Sequence, residues 1–216
     1  MKFLIIFGFL LGFGGVLAAA GLAPIAIHER IDSKTSVANN GGRLETFIIR
    51  LPADRIASAG SVGPRRSVID PVTRIESPAV PADSEFMIEQ FKLRNIDGEV
   101  IGVAMRHWTL ADGASAGTWS VSIPSRGTLV WNADGDAPAI LSAAIASAGV
   151  QSGAAWQGEL PVPLTGDQNS GQVVTGTEEF DGSTGFVEEI WDITGVGDKG
   201  EIRGTISLNT RVSRSQ

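Results

Sequence analysis

Two glutamates, a histidine and a set of tryptophans are the residues whose types and spacing could do chemistry in this chain. Between Glu85 and Leu93, the alternation that turns Met87, Phe91 and Leu93 to one side carries Glu89 with them. Between Phe186 and Ile193, the face holding Val187, Trp191 and Ile193 also carries Glu189. A carboxyl group walled by apolar side chains has its charged form disfavoured, so its pKa rises toward neutrality and it becomes a candidate general acid or base. The segment Val100 to Leu110 is apolar on both faces, with Met105 and His107 on one and Arg106 and Trp108 on the other. It reads as a central strand covered on both sides, carrying either His107 or Arg106 inward.

Glu89, His107 and Glu189 are therefore the candidate proton-transfer residues, while Met105, Trp108, Trp119 and Trp191 are the candidate walls of a hydrophobic ligand site. A structural reading of the ionisable residues carries the greater weight. A strand-borne histidine is usually held by hydrogen bonds, and an inward glutamate more often signals a register shifted by a bulge.

Several chemistries are excluded. The chain has no cysteine, which removes thiol nucleophiles, disulfides and cysteine-based zinc sites, and its two histidines are too few for a histidine-rich metal centre. Asn132-Ala-Asp-Gly-Asp136 opens like a calcium loop but lacks the turn glycine and the closing glutamate, so it reads as a turn. Glu178, Glu179, Asp181, Glu188, Glu189 and Asp192 could gather around a hard cation, but solvated outer faces explain most of them. No metal and no cofactor is expected. The formal net charge of −7 repels phosphate backbones, so nucleic acid is not an expected partner.

The elements that must position these residues begin with an export leader. Lys2 precedes an apolar run from Phe3 to Leu17, and Ala18-Ala19-Ala20 offers the small-x-small pattern of signal peptidase, which would leave Gly21 as the new N-terminus. The uncharged stretch continues to Ile27, long enough for a membrane anchor over residues 3–27, although its glycines and Pro24 make a poor helix. An exported protein is expected, periplasmic or extracellular, either released by cleavage or tethered to the membrane. Residues 28–83 read as an arm or linker with one possible strand at Leu44 to Leu51, because five prolines fall between Pro52 and Pro81.

From residue 84 to 212 the punctuation is regular. Eight short apolar or alternating segments are separated by turns such as Asn95-Ile-Asp-Gly98 and Asp181-Gly182, whose residues tolerate the positive φ of tight hairpins. An all-β fold follows, an antiparallel eight-stranded barrel of lipocalin-like size. One short helix is expected from Ala137 to Ala148, capped by Asp136 and stopped by Gly149.

The stretch Val173-Val-Thr-Gly-Thr-Glu-Glu-Phe-Asp-Gly-Ser-Thr-Gly-Phe186, with the acidic strand after it and the closing strand Glu201 to Leu208, resembles the late hairpin of allene oxide cyclase-like and dirigent-like β-barrels. Two departures stand out: Glu178 occupies a position where glycine is usual, and the chain has no tyrosine. The resemblance implies a barrel with a hydrophobic cavity and assigns no catalytic residue. The leading expectation is thus an exported barrel that binds a small hydrophobic molecule. The alternatives are a cofactor-independent cyclase or isomerase acting on a polyketide- or terpenoid-like substrate, and a membrane-tethered envelope interaction module.

Overall fold

The structure is a computed structural model that describes residues 31–37, 42–61, 85–111, 114–133, 137–150, 154–164, 171–198 and 200–214. Residues 1–30, which include the expected leader, and the proline-rich stretch 62–84 lie outside the described residues. Among the described residues no helix is long and apolar enough to cross a membrane.

The strands are β1 (Ser36–Val37), β2 (Arg43–Leu51), β3 (Arg55–Ser61), β4 (Glu85–Arg94), β5 (Val100–Ala111), β6 (Ala114–Ile123), β7 (Gly127–Ala133), β8 (Trp156–Pro163), β9 (Val173–Gly176), β10 (Ser183–Val196) and β11 (Ile202–Arg214), with one helix, α1 (Ala137–Ser147), between β7 and β8. They form one curled antiparallel sheet in the order β8-β10-β11-β2-β4-β5-β6-β7-β9, with β1 beside β2 and β3 beside β4. The curl brings the β9 end of this path back to β10. Gln172 bridges Phe186, the Val187 amide donates to the Gly171 carbonyl at 2.7 Å, and the Gly171 amide donates to the Asn132 carbonyl at 2.8 Å.

The sheet starts earlier in the chain than the punctuation indicated. β2 sits between β11 and β4, burying Phe47, Ile49 and Leu51, and β3 runs along β4 from Arg55 opposite Phe91 to Ser61 opposite Phe86. Residues 43–61 thus belong to the sheet rather than to an arm. The small residues of β3 give no hydrophobic period, yet backbone pairing needs none.

Alternation sets the inner face. Trp119, Val121 and Ile123 of β6, and Ile202, Ile206, Leu208 and Val212 of β11, are buried. On β4 the only register shift against β5 falls between Leu93 and Arg94, and on β10 the shift comes after Ile193, so neither bulge displaces Glu89 or Glu189. Both carboxylates face the interior. The β4–β5 shift also decides the phase of β5. It makes Ile101 the extra residue, after which Ala104, Arg106 and Trp108 point inward, leaving Val103 42% and Met105 38% exposed. The expectation of a β5 covered on both faces is therefore corrected: only one face is covered.

The helix packs Ala137, Leu141 and Ile145, spaced four apart, into the same core, and it ends at Gly149 in the left-handed region with φ of 79°. A fully buried arginine ties together the β6–β7 turn, β2 and the short 3-10 turn Glu178–Phe180. Arg126 donates to both oxygens of Glu45, at 2.8 and 2.7 Å, and to Glu179 at 3.1 and 3.2 Å, with its guanidinium 5.5 Å from the Phe180 ring centre. Burial pushes the Glu179 carboxyl upward, but hydrogen bonds from Arg126 and Arg43 outweigh it and hold the pKa at about 2. Replacing Arg126 with Met leaves the buried Glu45 without this cation and Glu179 with Arg43 alone. It is expected to cost about 3–5 kcal/mol of stability, read from the urea unfolding midpoint and slope.

Candidate functional site

The interior holds a second charged cluster, and most of the residues singled out above meet there. Arg106 is 1% exposed; its Nη1 donates to Glu189 Oε1 at 2.5 Å. The other bonds to Glu189 come from indoles, Trp119 Nε1 to Oε2 at 2.9 Å and Trp191 Nε1 to Oε1 at 2.6 Å. Three tryptophan faces surround the same guanidinium, with ring centres 4.2 Å away at Trp108, 5.2 Å at Trp119 and 5.8 Å at Trp191. A desolvated cation over an aromatic face gains about 2 kcal/mol. The carboxylate neutralises the charge, and the rings replace part of its hydration shell.

Strand register explains the assembly. Glu89 of β4 lies opposite Arg106 of β5, Arg106 opposite Trp119 of β6, and Trp119 opposite Trp131 of β7, so four adjacent strands place one inward residue each in a single row. The row continues as packed rings, Phe91 and Trp119 at 5.9 Å and Trp119 and Trp131 at 6.0 Å. Glu89 accepts from Arg55 Nη2 of β3 at 3.0 Å, and Arg55 lies 5.9 Å from the Phe91 ring centre. Burial raises the Glu89 pKa; Arg55 and Arg106 pull it back in part, while the nearby Glu189 charge pushes it further up.

Two buried donors at this site have no hydrogen-bond partner among the described residues, Trp108 Nε1 and Arg55 Nε. Trp108 is 4% exposed. Beyond the row, the residues opposite Trp108 are small: Gly117 on β6, and Ala133 opposite Gly117 on β7. A Cβ at Gly117 would stand 3.1 Å from Trp108 Cδ1 and 3.1 Å from the Ala133 methyl. Gly117 is thus packed against Trp108 and Ala133, and a side chain there would have to push one of them aside.

Glu89, Glu189, Trp108, Trp119 and Trp191 therefore come together, whereas Met105 and His107 stand on the outer face of β5, Met105 exposed and His107 half-buried. Sequence reasoning left Arg106 as one of two choices and missed Arg55. The alternation of Arg106 with Trp108 on one face was the available signal for the first. Nothing marked Arg55, because it lies on the strand whose small residues show no period.

The acidic residues near the C-terminal hairpin do not converge. Glu179 binds Arg126 while Glu189 faces the interior, and among the described residues no three His, Asp or Glu side chains are arranged to hold a metal ion. The spacing Gly113-x-Ser115-x-Gly117 matches that of a nucleophile elbow, but Ser115 lies within β6, paired with Leu110 of β5, and not on a strand-to-helix turn. Glu178, where glycine was expected, adopts a left-handed φ of 54°, so the backbone keeps the turn that glycine would favour. No protein-family model matches the chain, and no curated protein matches it.

The raised pKa of Glu89 has a definite sign in stability. Between the ordinary carboxylate range and the raised folded value, the folded protein holds a proton that the unfolded chain has released. Its contribution is complete below the ordinary value and is lost as pH rises through the folded one. Glu89→Gln is expected to remove this decline, so the wild-type advantage in urea midpoint should shrink as pH increases from 4 to 8. An advantage constant with pH would show that Glu89 titrates normally.

Proposed function

We propose that this chain is an exported binding protein that takes a small, largely apolar molecule into the tryptophan-walled end of its sheet interior. The finer architecture proposed with it is an eight-stranded barrel, made by β10, β11, β2, β4, β5, β6 and β7 with the β8–β9 region filling the remaining position. The observation that carries the functional reading is the gathering of Trp108, Trp119 and Trp191 around the buried Arg106–Glu189 pair, with the Trp108 N–H left without a hydrogen-bond partner among the described residues. Ligand sites are mostly apolar and aromatic, with a few convergent polar groups that fix orientation. Such a site needs both the rings and the buried charges.

Tryptophan fluorescence supplies the test, since Trp108, Trp119 and Trp191 all border the cluster. Titration with the neutral dye N-phenyl-1-naphthylamine is expected to quench the tryptophans and brighten the dye. Ala133→Leu crowds the indole edge of Trp108 across Gly117 and is expected to weaken dye binding at least tenfold. Dye binding undiminished in Ala133→Leu would place the ligand elsewhere.

A second reading is favoured by Glu89, a fully interior carboxyl with a raised pKa beside two guanidiniums: a cofactor-independent isomerase in which Glu89 moves a proton on a ligand held in a reactive conformer. Incubating the purified protein with the compound extracted from its own host distinguishes the two. Recovery of an isomer of equal mass supports catalysis, and recovery of the same compound supports binding alone.

Export is supported by Lys2, the apolar run and Ala18 to Ala20. Mass spectrometry of protein from cells is expected to find Gly21 at the N-terminus. An intact Met1 to Ile27 segment would instead identify a tethered module.

A further inference from the structure

We propose that the outer side of the sheet carries a second site, separate from the tryptophan-walled interior, which takes a small protonated aliphatic amine against the carboxylate of Glu178. A groove of about 620 Å³ opens there, lined by Val103, Ser122, Pro124, Ser125, Thr128 and Glu178 among others. Its volume is that of a small-molecule site.

Backbone conformation is the first observation. Among the described residues, two that are not glycine lie in the left-handed region, Ser125 with φ of 63° and Glu178 with φ of 54°, and both line this groove. A side chain is disfavoured in that region, so keeping one there calls for a reason. Ser125 has a reason in the fold: its hydroxyl donates to the Pro124 carbonyl at 2.5 Å and accepts from the Ile31 amide at 3.4 Å. Glu178 has none. It is exposed, and its side chain makes no hydrogen bond or ion pair among the described residues. The nearby guanidiniums of Arg43, Arg126 and Arg214 bind Glu179 instead.

The second observation is how firmly that carboxylate is mounted. Gly127, with φ of 110°, lets the turn approach so closely that a Cβ there would stand 2.2 Å from the Thr177 carbonyl oxygen and 2.8 Å from Glu178 Cβ. The Thr177 amide donates to the Thr128 carbonyl at 2.9 Å and the Glu179 amide to the Arg126 carbonyl at 2.9 Å, so both chain neighbours of Glu178 are tied to the β6–β7 hairpin. A ligand meeting Glu178 need not order its backbone first.

The third is the set of acceptors. On the outer face Val103 pairs with Ser122 and Ser122 with Thr128, and the two hydroxyls share one hydrogen bond of 2.9 Å, which leaves lone pairs free on both. An ammonium group has three donors and no acceptor, which a carboxylate and hydroxyl oxygens match. Val103, 42% exposed, and Pro124 offer apolar surface to its chain. A single carboxylate supplies too few ligands for a hard metal cation. Lys92 ends the same row on β4, three strands from Thr128, and does not line the groove. The net charge of −7 draws cations toward the protein.

NMR titration of the whole chain tests this. Adding n-hexylammonium is expected to shift the backbone amide signals of Gly127, Thr128 and Glu178, with a dissociation constant about fivefold below that of n-hexanol, the ratio of one exposed ion pair. Glu178→Gln keeps the shape and is expected to bring that ratio close to one. Glu178→Gly is expected to do the same while raising the urea midpoint, because glycine relieves the backbone. The assignment is overturned if hexanol binds as well as hexylammonium, if neither binds, or if the ratio survives in Glu178→Gln. A lower urea midpoint in Glu178→Gly would give the side chain a structural role and overturn it too. Tighter binding of Nα-acetyl-lysine N-methylamide than of hexylammonium would replace the free amine by a lysine side chain. Shifts confined to the indole N–H signals of Trp108, Trp119 and Trp191 would move the amine to the interior, whereas failure at Glu178 alone leaves the interior reading standing.

Discussion

A guanidinium inside an apolar interior must be compensated on every side, and much of the structure around Arg106 answers that requirement. The charge is met by Glu189 from β10, and its faces by tryptophans from β5, β6 and β10. Those partners reach it only if the sheet curls enough to bring β10 across from β5, which in the strand order is four places away. Curl, register and charge pairing are thus coupled. A slip of one residue in β4, β5 or β10 would turn a charged group outward and leave its partner buried alone, a cost of several kcal/mol.

The two buried arginines differ in what surrounds them. Arg126 is matched by two carboxylates and is saturated with hydrogen bonds, as suits a lock between a turn and a strand. Around Arg106, Trp108 Nε1 and Arg55 Nε are buried donors with no hydrogen-bond partner among the described residues. Unmet buried donors are uncommon in natural interiors and call for an explanation. That contrast is the ground for proposing a site at Arg106 and a structural lock at Arg126.

Much of this was legible beforehand. Alternation alone put Glu89 with Met87, Phe91 and Leu93, and Glu189 with Val187, Trp191 and Ile193, and the structure keeps both sets together on the inner face. The strands from 85 onward and the helix from Ala137 follow from turn residues and periodicity. What misled was the general rule that an inward glutamate signals a bulge. Here the bulge is real but lies at Leu93/Arg94, where it sets the phase of β5 and sends Met105 and His107 outward. Arg55 escaped notice because β3 is built from residues whose side chains carry no pattern.

The sequence by itself determined the strand segments from residue 85 onward, Glu89 and Glu189 as candidates for the inner face, the absence of cysteine chemistry and an export-like N-terminal pattern, because each depends on local alternation or composition. Only the tertiary structure decided that Glu89, Arg106, Glu189 and three tryptophans share one interior, and that Gly117 and Ala133 pack closely against Trp108. The reason is physical. Period two fixes which face a residue takes, while the neighbours it meets on that face depend on strand order, register and curl, and these are set by pairings between segments more than 80 residues apart, as in Arg106 with Glu189.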